Sequence, residues 1–275
     1  MRCQACTLVY TSPAKSEEGL EEIANEWAVR HHANADKTTW EGNEALQEIL
    51  YGARLVGIEK YRSNGRILDV GCSTGDFLSY AKSKGWEVYG SELAELTATI
   101  ARQKLDCEVR HGMFENSGFE ANYFDVVTMW DVVEHVLEPQ RLVAEALRIL
   151  RPGGVLVFFT PNYNSLTRRL IFDRWSAIIP ERHLCVFDQT TITRLIEQSG
   201  GKVIAARSMD INPHEILHGE RQESATGLKN RQQAMGRIKG LLVRYPVLQN
   251  VRKGINVMLD LTGMGDVLEI HAVKI

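Results

Sequence analysis

The chain has no long apolar run. None approaches the ~18–20 residues that a membrane span needs, so no transmembrane helix is expected, and the opening MRCQACTLVY lacks the apolar core of a secretory signal. An excess of one charge is missing too: 32 Lys and Arg stand against 35 Asp and Glu, a formal net charge of −3. Nucleic-acid and membrane-surface binders usually show a basic surplus, so no nucleic-acid partner is expected. Cysteine is sparse and odd in number, five residues at 3, 6, 72, 107 and 185. That spread does not form a disulfide framework, and a reducing cytoplasm is the expected location. Internal repeats and low-complexity tracts are absent as well.

What is present is alternation. Strand candidates at 66–71, 86–90, 107–111, 124–130 and 154–160 alternate with helix candidates near 76–84, 93–104 and 138–150. Such alternation implies βαβ crossovers and a parallel sheet. FDVVTMW and VLVFFT are apolar at nearly every residue, as strands covered by helices on both faces must be. The expected fold is therefore α/β, a doubly wound, mostly parallel sheet. Ahead of it, 16–35 and 43–62 read as helices, the second with an apolar stripe of Leu46, Ile49, Leu50, Ala53, Val56, Gly57 and Tyr61. Residues 161–188 show no clear period, 190–199 read as a helix and 202–208 as a strand. Residues 210–262 interrupt the pattern with two expected helices, 225–243 and 247–260, before a last strand at 266–275. The domains are read as an N-terminal segment and helical cap over 1–63, a core over 64–209 and 264–275, and a helical insertion over 210–263.

The loop in RILDVGCSTGDFL, residues 66–78, follows the first parallel strand, where open α/β sheets bind ligands. Glycine lets a backbone turn sharply and approach a ligand closely. A dinucleotide site wants G-x-G-x-x-G. Here the spacing is Gly71-x-x-x-Gly75, with Ser73 at the second glycine position, Phe77 near where a third would help, and Asp76 set to repel a pyrophosphate. This argues against an NAD-dependent dehydrogenase, and no Gly-Lys-Ser/Thr run makes a P-loop. A cationic or zwitterionic ligand suits the loop better, with Asp69 holding an ammonium directly or through water. Glu92, which ends the second strand in WEVYGSEL, is placed to accept two ribose hydroxyls.

LDVGCSTGDF, the acid in GSEL, FDVVTMWDVVEHV and RILRPGGVLVFFTPN, taken in order, resemble the seven-strand S-adenosylmethionine-dependent methyltransferases, closest to the quinone-pathway O-methyltransferase branch. The resemblance spans roughly 66–208 and the final strand. It implies a sheet of order 3-2-1-4-5-7-6 with residues 266–275 antiparallel between strands five and six. It implies S-adenosylmethionine as cofactor and S-adenosylhomocysteine as product. Asp69, Gly71 and Gly75 would surround the methionine part, with Cys72, Ser73 and Thr74 supplying backbone and Phe77 close by. Glu92 would take the ribose, Leu93 would pack on adenine, and Gly112 and Met113 would edge the adenine. Trp130, Asp131 and Val132 would end strand four beside the sulfonium.

Methyl transfer to a hydroxyl needs alignment and a base. If DVVEHV opens a helical turn, Asp131, Glu134 and His135 share one face. His135 is expected as base or orienter, and His183, in the irregular segment after strand five, as pocket residue or alternative base. A role for Glu134 and His135 in fixing the loop stays open, as does the divalent metal that the acid-x-x-Glu-His pattern holds in quinone-pathway relatives; no metal is assigned. The expected reaction is O-methylation of a small-molecule, lipid or glycan-like acceptor. Carbon or nitrogen methylation, or a non-catalytic cofactor-binding role, are the alternatives. WDVV in place of an acid/Asn-Pro-Pro-aromatic run speaks against nucleobase N-methylation. Cys3-x-x-Cys6 resembles half of a zinc ribbon and reads as its remnant. The apolar and basic faces within 210–263 are read as a helical cap, an acceptor lid, a homodimer surface or a contact with an anionic or lipid-like substrate.

Overall fold

The computed structural model describes residues 1–32, 47–218 and 245–275. Seven strands form one sheet: β2 Arg66–Val70, β3 Glu87–Glu92, β4 Val109–His111, β5 Phe124–Trp130, β6 Leu150–Pro161, β8 Gly201–Met209 and β9 Val267–Lys274. Their order is β4-β3-β2-β5-β6-β9-β8. The first five run parallel, and β9 lies antiparallel to both β6 and β8. Two further strands, β1 Val9–Tyr10 and β7 Cys185–Val186, make a separate antiparallel ribbon.

The helices are α1 Glu17–His32, α2 Ala53–Glu59, α3 Asp76–Ser83, α4 Glu95–Leu105 and α5 Pro139–Ile149. After them come α6 Leu166–Ile171, α7 Gln189–Gln198, α8 Pro213–His218 and α9 Pro246–Thr262. Local chemistry fixes their ends. Proline stands at the start of α5 and of α9, where its missing N–H costs nothing. Asp188 and Thr191 cap α7 reciprocally, and Gly263, left-handed at φ 67°, closes α9.

Strand periodicity sends alternate residues to opposite faces. Ile67, Val126, Val155 and Val157 meet Leu55, Ile58, Leu78 and Ala98 from α2, α3 and α4. Leu68, Val127, Met129, Leu156 and Phe158 meet Leu142, Ala146, Ile192 and Ile196 from α5 and α7. Two covered faces explain the unbroken apolar strands, and each fully buried Leu, Ile or Phe contributes roughly 1.5–3 kcal/mol. No helix among the described residues is long and apolar enough to cross a membrane.

Three expectations need correction. The helix read over 43–62 is, in its described part, a π-helical turn, Glu48–Gly52, continued by the short α2. The stretch read as irregular, 161–188, holds α6 and β7, whose few residues are too short to show a period. The insertion carries α8 as well as α9, while the helix expected at 225–243 lies outside the described residues. The sheet leaves a crevice between the carboxyl ends of β2 and β5, because the chain winds outward through β3 and β4 on one side and through β6 on the other.

Candidate active site

The loop after β2 is a run of tight turns. Gly71, Ser73 and Gly75 all have positive φ, at 70°, 50° and 77°. A Cβ on Gly71 would stand 2.7 Å from a methyl of Val132. Glycine at 71 therefore lets the loops after β2 and β5 touch. Ser73 takes the same left-handed conformation with a side chain, which costs about 1–2 kcal/mol for an L residue. Cys72 is buried against Gly90, and burial raises its thiol far above the ordinary range. The Thr74 hydroxyl donates to Asp76, 3.1 Å away. Asp76 also pairs with Lys104, which ties the loop to α4.

Glu92 is the clasp of this loop. Its Oε2 accepts from the Ser73 N–H at 2.8 Å and its Oε1 from the Ala94 N–H at 2.9 Å. Each oxygen keeps a further lone pair, so the fixed carboxylate still offers two acceptors side by side. The Gly112 N–H donates to the Glu92 carbonyl at 3.0 Å. Gly112, at φ 111°, has open space where a Cβ would stand. Half-buried Leu93 and Met113 flank this corner.

Asp69, 2% exposed, lies at the crevice floor and accepts from the Thr128 hydroxyl at 2.6 Å. Burial pushes its carboxyl up to about 7, although Thr128 and the Arg54 charge oppose the rise. The Trp130 ring stands edge-on to buried Phe77, centroids 5.1 Å apart, and Arg54 lies 4.5 Å over its face. The indole Nε1–H of Trp130 is buried without a partner among the described residues. Asp131 has φ 56°, and its N–H donates to the Phe159 carbonyl at 2.7 Å. It is open to solvent yet hemmed in by protein, and that desolvation raises its carboxyl against the pull of Arg54.

The left-handed Asp131 corrects one expectation. No helix face joins it to Glu134 and His135. A single turn closes instead from Val132 to His135, whose N–H donates at 2.9 Å. Glu134 turns inward and accepts from the Thr160 hydroxyl at 2.9 Å, leaving its Oε1 buried without a partner among the described residues. Burial, with the Asp131 charge next, holds its carboxyl well above the ordinary range. Its carbonyl accepts from the N–H groups of Leu184 and Cys185, so the later segment is stitched over this turn.

That stitching brings His135 and His183 together, ring centroids 4.7 Å apart. His135 Nδ1 is 2.9 Å from the Arg182 carbonyl and His183 Nδ1 is 2.8 Å from the Ala177 carbonyl. Nδ1–H is the donor in both, which leaves both Nε2 atoms as acceptors. Burial, with the neighbouring His183 next, lowers His135 to about 3, and burial lowers His183 too. Donor atoms of Glu134, His135 and His183 lie within 4.8 Å of one another; the sequence reading left a metal open on Asp131, Glu134 and His135, and here His183 joins Glu134 and His135 instead of Asp131. The β1–β7 ribbon pins the same segment from outside, with the Thr11 hydroxyl donating to the His183 carbonyl at 3.1 Å. Residues 1–13, read as a zinc-ribbon remnant, thus support the wall of the site. Hydrogen bonds from Cys6 and Ala5 lower the Cys3 thiol.

Sequence reasoning missed Arg54 and Tyr51. Tyr51 packs 6.1 Å from Phe77, and burial pushes its phenol up to about 12. The signal for Arg54 was available, since a lone cation shares the apolar stripe of Leu50, Gly57 and Tyr61.

A mostly parallel sheet with a glycine loop after its first strand, a clamped carboxylate ending the second and a crevice between β2 and β5 is the arrangement of the S-adenosylmethionine-binding methyltransferase class. A family model described as a methyltransferase domain matches residues 43–206, and the chain belongs to that family. It is an S-adenosylmethionine-dependent methyltransferase. It is 25% identical over 239 residues, 83% of this chain and 91% of the relative, to a malonyl-[acyl-carrier protein] O-methyltransferase of Serratia marcescens. It is 35% identical over 107 residues to a ubiquinone biosynthesis O-methyltransferase of Aromatoleum aromaticum, a match covering 36% of this chain and 45% of that one. The fold is that of a crystallised S-adenosylmethionine-dependent methyltransferase of Thermotoga maritima, with a TM-score of 0.56 at 19% identity, covering 94% of this chain and 99% of the other. The residues present suit the cofactor. The Glu92 oxygens retain lone pairs for a diol, Asp69 supplies a buried carboxylate, and the buried Trp130 indole N–H has no partner among the described residues.

Replacing Ser73 by glycine removes the left-handed strain of a residue that carries a side chain. The Ser73→Gly variant is expected to gain about 1 kcal/mol, read as a thermal midpoint about 2–4 °C higher. A lower midpoint would mean that the hydroxyl stabilises the loop by more than the backbone strain costs.

Proposed function

We propose that the chain methylates an oxygen of a small-molecule acceptor, with His135 as the base and His183 completing the pocket wall. The observation that carries this reading is the paired imidazoles, each tied at Nδ1 to a backbone carbonyl and each keeping Nε2 as an acceptor. S-adenosylmethionine supplies an electrophilic methyl group on a sulfonium. In this reading Asp69 faces its ammonium, Gly71–Gly75 line its methionine part and Arg54 faces its carboxylate. Glu92 takes the ribose, and Leu93, Gly112 and Met113 edge the adenine. Trp130, Asp131 and Val132 border the reacting centre.

His135, lowered to about 3, is neutral at working pH and always able to accept. It is also a weak base. Nε2 would therefore take the acceptor's proton only as that oxygen gains the methyl group and the broken C–S bond leaves its electron pair on S-adenosylhomocysteine. Alignment supplies the larger share of the rate, up to ~7–11 kcal/mol in ideal intramolecular cases. His135→Gln is expected to reduce label transfer from S-adenosylmethionine into a fractionated cell extract by about 10²–10⁴, with S-adenosylhomocysteine affinity within about twofold. Unchanged transfer removes His135 from the chemistry.

The Asp69 role makes a separate expectation. A carboxyl raised to about 7 loses its charge as pH falls through that value, and with it the attraction for an ammonium. S-adenosylhomocysteine should bind about tenfold more weakly at pH 6 than at pH 8, measured by calorimetry. Asp69→Asn should flatten that dependence.

A second reading rests on the donor atoms of Glu134, His135 and His183 within 4.8 Å. These could hold a divalent cation that orients the acceptor oxygen. Under the base reading, dialysis against a chelator leaves turnover unchanged. Loss of turnover that is restored by a divalent ion favours the cation.

A further inference from the structure

A second hollow opens beyond the end of β6, with a volume of about 540 Å³, within the range of small-molecule sites. It is lined from α6, from α7 and from the end of α9. Asn162 is its fixed point. This side chain is 1% exposed, and its Nδ2 donates to the Gly263 and Gly265 carbonyls at 3.0 and 2.7 Å. Its Oδ1 accepts from the Asn164 N–H at 2.9 Å. One buried amide thus ties the end of β6 to the turn after α9, so these walls are held before any ligand arrives.

The lining is polar. Thr190, Thr193 and Glu197 recur at helical spacing on one face of α7. Gln189 and Arg194 stand beside them, and Asn164 and Arg169 line the α6 side. Among the described residues, the side chains of Asn164, Arg169, Gln189, Thr190, Thr193 and Glu197 form no hydrogen bond or ion pair. Arg194 donates one N–H to the Cys6 carbonyl at 3.2 Å and keeps the rest of its fork. The crevice shows the reverse, since its polar groups are paired with one another. An unpaired polar side chain on a convex surface is simply hydrated. Several around one hollow can be met together by a single ligand.

Their chemistry selects that ligand. An apolar molecule would strip water from these groups and return no hydrogen bonds. A hydroxyl group both donates and accepts, and so can serve the carboxylate, the amides and the threonines alike. Arg169 and Arg194 outnumber Glu197, which leaves the hollow net positive. Guanidinium groups match carboxylate and phosphate in shape as well as charge.

We infer that this hollow binds an anionic sugar, one that carries a phosphate or a carboxylate. Its hydroxyls would meet the threonine, amide and Glu197 side chains, and its charge would meet Arg169 and Arg194. The hollow shares no lining residue with the crevice, so the inference stands apart from the methyl-transfer reading.

The test titrates the full chain in a calorimeter with glucose-6-phosphate and with glucuronate. Glucose is the uncharged control and inorganic phosphate the sugar-free one. One of the anionic sugars is expected to bind at least about tenfold more tightly than either control, and the tighter of the two identifies the charged group. Saturating S-adenosylhomocysteine should leave that binding as it was, as uncoupled sites require. Arg169→Gln, an exposed change, should weaken the anionic sugar about tenfold or more and leave S-adenosylhomocysteine affinity alone. Arg194→Gln should do the same by a second route, although it also releases the Cys6 carbonyl. Anionic sugars that bind no better than glucose or phosphate overturn the inference. So does binding that S-adenosylhomocysteine displaces, or binding that survives both substitutions unchanged.

Discussion

The parting of the chain between β2 and β5 is the constraint on which the site depends. To the outside of β2 the connections run to β3 and β4; beyond β5 they run to β6. No crossover fills the gap at the carboxyl ends of the two middle strands, so a crevice is unavoidable. Each segment argued to matter hangs over it: Asp69–Gly75 from β2, Trp130–His135 from β5, Glu92 from the neighbouring strand. Polar groups there cannot be satisfied by strand pairing, and the protein instead pairs them with one another. Glu92 holds loop amides, Thr128 holds Asp69 and Thr160 holds Glu134.

The cost of this arrangement appears in the titrating groups. Asp69, Asp131 and Glu134 are all raised, and His135 and His183 are both lowered. Loss of solvation, which disfavours charge of either sign, is the leading cause in every case, by burial for four of them and by surrounding protein for solvent-open Asp131. A neighbourhood that resists ionisation is a poor place for free charges and a good one for a ligand that brings its own. Under the proposed reading, the sulfonium and ammonium of S-adenosylmethionine would sit on the acidic side of the crevice, near Asp69 and Asp131.

Much of the fold was legible because both sheet faces are covered. Strands such as Phe124–Trp130 then carry apolar residues without a break, and the helices between them keep a clear stripe. The loop after β2 was legible because glycine spacing reports backbone conformation directly. What sequence could not reveal depends on distant contacts. The left-handed turn at Asp131 is set by a hydrogen bond to Phe159, and the meeting of His135 with His183 by amides 184 and 185 bonding to Glu134. The pairing of β1 with β7 joins two-residue strands too short to carry a pattern. Arg54 was hidden in plain view, because a cation on an apolar stripe has meaning only once the facing carboxylates are known.

The position of β9 also governs how the molecule is built. β9 closes the sheet by pairing with β6 on one edge and β8 on the other, yet residues 162–266 separate it from β6 in sequence. During synthesis the β6 edge must wait, with its N–H and C=O groups unmet, until that long stretch has left the ribosome. An open apolar edge of this kind invites pairing with the wrong chain. Slow translation across the insertion would lengthen that vulnerable interval, so yield on overexpression should depend more on chaperone supply at this stage than on the stability of the finished sheet.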